Sequence, residues 1–432
     1  MSGEPKKLAS AAIVARPRPG LAWGNPIEDE DPDVLDLDYR IFDADNHYYE
    51  TRDSFSRNIE PAYRDRTFHV QPGQDGREQW FLGQQPFGYF PHWSFETAQR
   101  PGALKEVLRN LKSGVISSDR AEVPMDPAFQ YREPRLVRMD EQKVESAVLM
   151  PTLGVTVEHV MKHDTGLTYA NLRSFNRWLH EEWGFDHQGR IYTTPMISLL
   201  DLDEAVKDLE WALDRGARVI HIRPGPVAGR SPADTWFDPF WSRVNEAGLA
   251  VFMHSSDSSY NELISQHWGH RPNPGVFDAD AFQWAMCMVE RPIMDTLASF
   301  LFWNFQGRFP NVALASIENG SGWVEYLLKT VDKGRGMGRN GSWPGGKLTE
   351  RPSEIFKRAI YVNPFHEEDV QALVRLIGAS QVLGGSDYPH AEGVFDPLEF
   401  TEALEELPAA DVKLIMRDNA RRILKLDDPA RG

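Results

Sequence analysis

Short apolar runs, each closing in a polar cluster, recur along the chain with segments of helical period between them. They are YRIFDA (39–44), ESAVLM (145–150), IYTTPM (191–196), RVIHIR (218–223), LAVFMH (249–254), VALASIE (312–318), RAIYVN (358–363) and QVLGGS (381–386). Strand-like runs alternating with helical segments predict an α/β fold with a parallel sheet, and eight such runs are the number a (β/α)8 TIM barrel needs. The intervening segments carry helix punctuation. DLDEAVKDLEWALDRG places Val206, Leu209, Ala212 and Leu213 on one face and stops at Gly216. DPFWSRVNEAG starts with Asp238 as N-cap and Pro239 in the first turn, and closes at Gly248.

Three stretches depart from the alternation. Residues 1–38 form a Pro-rich arm ending in an acidic run without periodicity, leaving 39–432 as the barrel. Residues 51–135 are too long for a simple loop and rich in aromatics, which predicts a cap inserted after the first strand; 255–291 is likewise long. KGRGMGRNGSWPGGK (333–347) has spaced glycines but no strand-to-helix context for a dinucleotide fingerprint, and is expected to be a mobile loop.

Charge and composition narrow the partners. The formal charge is −17 over 432 residues, which argues against nucleic acid or an anionic membrane surface, both of which require a basic face. One cysteine, Cys287 in QWAMCMVE, excludes an internal disulfide and a cysteine-built zinc cluster and reads as a buried helix residue. The first residues hold too short an apolar stretch for a signal peptide, so a cytoplasmic protein is expected.

Reactive groups of a barrel sit at the C-terminal ends of its strands. The first run leads into Asp43, Asp45 and His47, the fourth into His221 and Arg223, and the fifth into His254. The sixth leads into Glu318 and Asn319, the seventh into Asn363, and the eighth into Asp387 and His390. Asp45 and His47, two apart, share a strand face, with Asp43 one step deeper. Nitrogen and carboxylate donors together suit zinc, manganese or iron, so Asp45, His47, His254 and Asp387 are the predicted metal ligands. Asp387 and Glu318 are the candidate proton carriers, and Glu318 and His390 the candidate ligands of a second metal. Arg223, His221 and Asn363 are candidate substrate contacts, a salt bridge being the other reading of Arg223. His267 and His270 could reach over the site, Tyr48 and Tyr49 pack at the rim, and His69, His92, His159 and His163 have no constellation around them.

DADNH after the first strand, VFMH at the fifth, GGSDYPH at the eighth and the terminal RDNARRILKL resemble the amidohydrolase superfamily. The nearest branch is the amidohydrolase-related group with aromatic-acid and carboxymuconate-semialdehyde decarboxylases. The resemblance runs from about Tyr39 onward. It implies a distorted (β/α)8 barrel holding a divalent metal on Asp45, His47, His254 and Asp387, and a small carboxylate or carbonyl substrate that is hydrolysed or decarboxylated. Many members carry histidine at the place of Asp45, and a histidine is expected where this chain has Glu318. Two alternatives follow from that carboxylate: a dinuclear-iron, oxygen-dependent hydroxylase on the same barrel, and a metal-binding, non-catalytic partner of a homologous enzyme. The assembly expected is a homo-oligomer or a hetero-oligomer with a homologous barrel.

Overall fold

The computed structural model describes residues 34–74, 76–90, 93–104, 122–276 and 278–427. Most of the 1–38 arm and His92 therefore lie outside the described residues.

Seven of the eight expected strands form. β1 (Ile41–Tyr48), β2 (Val144–Pro151) and β3 (Ile191–Thr193) pair in parallel, with Asp186–His187 antiparallel at the edge. β4 (Val219–His221), β5 (Ala250–His254), β6 (Ala313–Ile317) and β7 (Ile360–Val362) form a second parallel sheet in chain order. A parallel bridge, Met196 to His221, runs between the two sheets.

The eighth run is not a strand. It makes one parallel bridge to β7, Val362 to Val382, and one to β1, Asn46 to Tyr388. Its backbone is fixed instead by scattered bonds: Leu383 N–H donates to Val362 O (2.9 Å), Gly384 N–H to Ile415 O (2.9 Å) and Asp387 N–H to Asp45 O (2.8 Å). The cause is crowding. A Cβ on Gly385 would meet Asp45 Cβ at 2.4 Å, so glycine is required where this segment presses on β1, and its small size weakens any regular ladder.

The apolar core is layered around the sheets. Phe42, Ala44, Val148, Val219, Phe252 and Ile317 meet on the inner side, while a larger cluster packs the strands against the helices. α1 (Leu202–Leu213) is capped by Asp201, whose side chain accepts from Glu204 N–H (3.1 Å), and it buries Leu209 and Ala212 as expected. α2 (Asp238–Ala247) ends at Gly248, which takes the left-handed conformation at φ 59°. Its start differs from expectation: Asp238 is the first helical residue and pairs with Arg308, and the capping carboxylate one turn earlier is Asp234, which accepts from Trp236 N–H (2.9 Å).

α3 (Glu290–Phe302) is followed by α4 (Trp323–Met337), which runs through the first third of the expected glycine loop. Gly334 lies where α4 meets α3, with its Cβ position 3.3 Å from the Phe302 ring; glycine in a helix interior costs about 1 kcal/mol, and that packing offsets it. Cys287 is buried at the end of a short helix, as predicted.

Candidate metal centre

β1 delivers its donors through an irregularity. Asp43 pairs with Ala147 and Asn46 with Leu149, three steps on one strand against two on the other, which is a bulge at Ala44–Asp45. The bulge breaks the simple alternation, so Asp43 is not one step deeper on the face of Asp45 and His47. Its carboxylate accepts instead from Ser386 N–H (3.0 Å), Asn46 Nδ2 (2.8 Å) and Asp45 N–H (3.2 Å), tying β1 to the eighth segment.

The ends of β1, β5 and β6 and the eighth segment then converge. His47 Nε2 lies 3.3 Å from Asp45 Oδ1, 3.4 Å from Asp387 Oδ1, 3.9 Å from Glu318 Oε2 and 3.1 Å from His254 Nε2. His254 Nε2 is 2.8 Å from Glu318 Oε2. The donor atoms of Asp45, His47 and His254 all lie within 4.8 Å of one another, and so do those of His47, Glu318, Asp387 and His390. Both Glu318 (φ 52°) and Asp387 (φ 54°) sit in the left-handed region, a backbone strain that surrounding packing must hold in place and that concentrates at functional sites.

Hydrogen bonding fixes which nitrogen faces the cluster. A carbonyl only accepts, so His254 Nδ1–H donates to Ser255 O (2.6 Å) and Nε2 is the atom turned toward Asp45 and Glu318. Thr152 donates its one hydroxyl proton to Tyr48 O (2.9 Å), so His390 Nε2–H donates to Thr152 Oγ1 (2.9 Å). That leaves His390 Nδ1 facing Asp387 Oδ1 at 2.6 Å.

The electrostatics are those of crowded like charges. Burial pushes the Asp45 carboxyl up to about 8, with His254 pulling it back and Glu318 adding to the rise. Burial likewise lifts Asp387 well above the carboxylate range, helped by Glu318 and Glu392. Burial holds the His47 ring well below its ordinary value, reinforced by His390 and His254. Burial opposes a charge on His254, but Glu318 and Asp45 outweigh it and raise the ring to about 9; burial works against ionisation of Glu318, and His254 outweighs it there. Asp45 Oδ1 is buried without a hydrogen-bond partner. A divalent cation fits this donor set: it supplies the counter-charge that protons otherwise provide and a partner for that oxygen.

The other predicted site residues are placed differently. Asn363 accepts from Glu318 N–H (3.3 Å) and donates to Leu383 O (3.3 Å), bracing Glu318 from below. Arg223 is buried 3.5 Å from Glu158 and does not line the cavity above the cluster; neither does His221, whose Nε2 is buried without a partner. His267 is exposed and His270 pairs with Asp280 (2.6 Å). Tyr48 packs between Trp178 and Trp183, and Tyr49 lines the cavity against His390. His159, expected to stand alone, is buried with Nδ1 2.7 Å from Ser259 Oγ and Nε2 3.7 Å from Glu262. Its partners come from the segment after β5, which periodicity cannot pair with it. Also missed was Arg135, whose guanidinium donates to His47 O (2.7 Å) and Ala128 O (2.7 Å) from a fully buried position; a lone arginine in a helical stretch gives no such signal.

The amidohydrolase family profile matches residues 43–426. The chain belongs to the amidohydrolase family. An amidohydrolase structure from Mycobacterium avium subsp. paratuberculosis K-10 is similar at 34% identity and TM-score 0.80, covering 90% of this chain and all (100%) of that one. A dihydroxybenzoic acid decarboxylase from Polaromonas sp. JS666, solved with bound manganese and an inhibitor, shares the fold at 17% identity and TM-score 0.53, over 77% of this chain and 97% of that one. By sequence, the 2-amino-3-carboxymuconate-6-semialdehyde decarboxylase of Dictyostelium discoideum is 21% identical over 202 residues, 46% of this chain. The chain matches about half the length of that relative (52%). Among the described residues no helix is long and apolar enough to cross a membrane.

Proposed function

We propose that this family member is a metal-dependent nonoxidative decarboxylase, built on a distorted (β/α)8 barrel, that removes CO2 from a carboxylate carrying an adjacent hydroxyl or enol. The observation that carries the reading is a pair of donor sets that share His47, one of Asp45, His47 and His254 and one of His47, Glu318, Asp387 and His390, at a cavity that His47, His254, Glu318 and His390 line. The decarboxylases among its relatives support it. The comparisons do not favour an oxygen-dependent hydroxylase or a non-catalytic partner.

Asp45, His47, His254 and Asp387 would hold a divalent ion, which when bound would supply Lewis-acid stabilisation of the charge that develops on the substrate. Glu318 reaches into the cavity and is the proton carrier. Glu318, ionised beside His254 at rest, first takes a proton from water, and as the bond to the carboxylate breaks and CO2 leaves, its Oε2 delivers that proton to the carbon CO2 vacates, which returns Glu318 to the carboxylate. Asn363 holds the Glu318 backbone, and Arg135 the His47 carbonyl. The described residues of the 51–135 segment, several of which line the cavity, serve as the cap.

The test is CO2 release from 2-hydroxybenzoate and 2,6-dihydroxybenzoate by manganese- or zinc-loaded protein. Release at equal rates under air and nitrogen, lost in Asp387→Asn, is expected; turnover that requires oxygen, or no CO2 from any hydroxybenzoate or enol acid offered, overturns the reading.

A further inference from the structure

The cavity over the donor cluster is larger than one benzoate ring requires. It measures about 1420 Å3, against roughly 300–1,000 Å3 for sites that take a drug-sized ligand. Away from the floor its surface changes character. Phe90, Trp93 and Phe95 sit side by side in its lining, and Trp284, Met288 and Val289 line it from the segment before α3.

The aromatic wall is braced from behind. Trp80 is fully buried and meets Trp93 at 6.2 Å and Phe95 at 5.7 Å between ring centres, and Tyr49 holds Trp93 edge-on at 6.0 Å. Rings fixed in this way present apolar area at little further ordering cost. Val289 is held at φ 54°, a backbone setting that a β-branched residue adopts only under constraint, on the cavity side of the first turn of α3.

The charge on the walls selects as well. Glu78, Glu96, Glu122 and Glu392 line the cavity, and among the described lining residues Arg77 is the one lysine or arginine. Glu78 and Glu96 both pair with Arg52 at 2.8 Å, which fixes their carboxylates in place. A second anionic group on the ligand, whether carboxylate, phosphate or thioester-linked nucleotide, would enter a lining with more carboxylates than cations, even with Arg52 counted against Glu78 and Glu96.

Resting on the decarboxylase reading, we infer that the substrate is a carboxylate carried by a neutral, extended apolar body, of bicyclic or long-alkyl size, whose acid head sits at the metal donors and whose body lies along Phe90, Trp93 and Phe95. The body sets specificity; the head is shared chemistry.

The experiment measures dissociation constants by tryptophan fluorescence on manganese-loaded full-length protein. The probes are 2-hydroxybenzoate, its 4-butyl and 4-octyl derivatives, and the 4-octyl derivative ending in a carboxylate. Affinity is expected to rise at least about tenfold from the parent to the octyl probe, since each buried methylene contributes favourably. The terminal carboxylate should cancel most of that gain, and so should Trp93→Ala and, separately, Phe90→Ala. Equal affinity along the series, equal binding of the carboxylate-tailed probe, or a gain retained in both variants overturns the inference. Because the readout is binding, absence of CO2 release would remove the decarboxylase reading alone, and flat affinity would remove this one alone.

Discussion

Two strand ends carry the same kind of residue and became different things. β5 ends in His254 and β4 leads into His221 and Arg223. At β5 the neighbours are β6, with Glu318 at its end, and His47 and Asp45 across the mouth, so several carboxylates and imidazoles point at a common position. At β4 the charged group is engaged elsewhere: Arg223 pairs with Glu158 and donates to Ser259 Oγ (3.3 Å), while His221 keeps a buried, unpartnered Nε2 and burial holds its ring well below the ordinary value. A strand-end position therefore makes a residue available; whether it becomes a ligand depends on who else arrives with an unspent donor.

The sharpest way to break this contrast is to remove one histidine from each end. His254→Ala is expected to drop bound metal at least about tenfold and abolish activity while circular dichroism stays native. His221→Ala should keep its metal. Equal metal content in the two variants, by elemental analysis of protein purified without added metal, would erase the distinction.

Next in size is stability at the β4 end. Arg223→Ala leaves the Glu158 carboxylate buried without its cation, which should cost about 3–5 kcal/mol in denaturant unfolding with metal content unchanged. A loss of metal in this variant would mean that the two ends are one site.

The smallest effect concerns the support of the cluster. Glu50 is fully buried; its carboxylate accepts from Leu153 and Gly154 N–H (both 2.9 Å), and burial pushes it from 4.5 up to about 7. The folded chain thus binds the extra proton, so this contribution is fully present below about 4.5 and is lost as pH rises to about 7, by at most roughly 3 kcal/mol. Glu50→Gln keeps an acceptor for both amides and removes the titration. Its stability relative to the parent should climb with pH through that window, and a constant difference from pH 4 to 8 would show that Glu50 does not titrate there.

Much of this was legible in the residues. The strand ends follow from period and polarity, and Asp45 with His47 followed from their spacing and from the motifs around them. The helix stops at Gly216 and Gly248 follow from backbone freedom. What stayed hidden depends on contacts made at long range. The bulge that turns Asp45 into the cluster has no sequence signature apart from the partner strand it mismatches. The eighth segment gave up its ladder because Gly385 had to approach Asp45, and His159 found Ser259 100 residues away. Asp238 looked like a cap and became a partner for Arg308, since Asp234 already served the preceding turn.

The bond between Asp43 and Ser386 joins residues 343 positions apart. Synthesis proceeds at about 5–20 residues per second, so Asp45 and His47 emerge tens of seconds before Asp387 can reach them. During that interval they are a half-built pair, too few in donors to retain an ion firmly. Loading of an ion would thus be deferred until the eighth segment has been made, and it would report that β1 has met that segment.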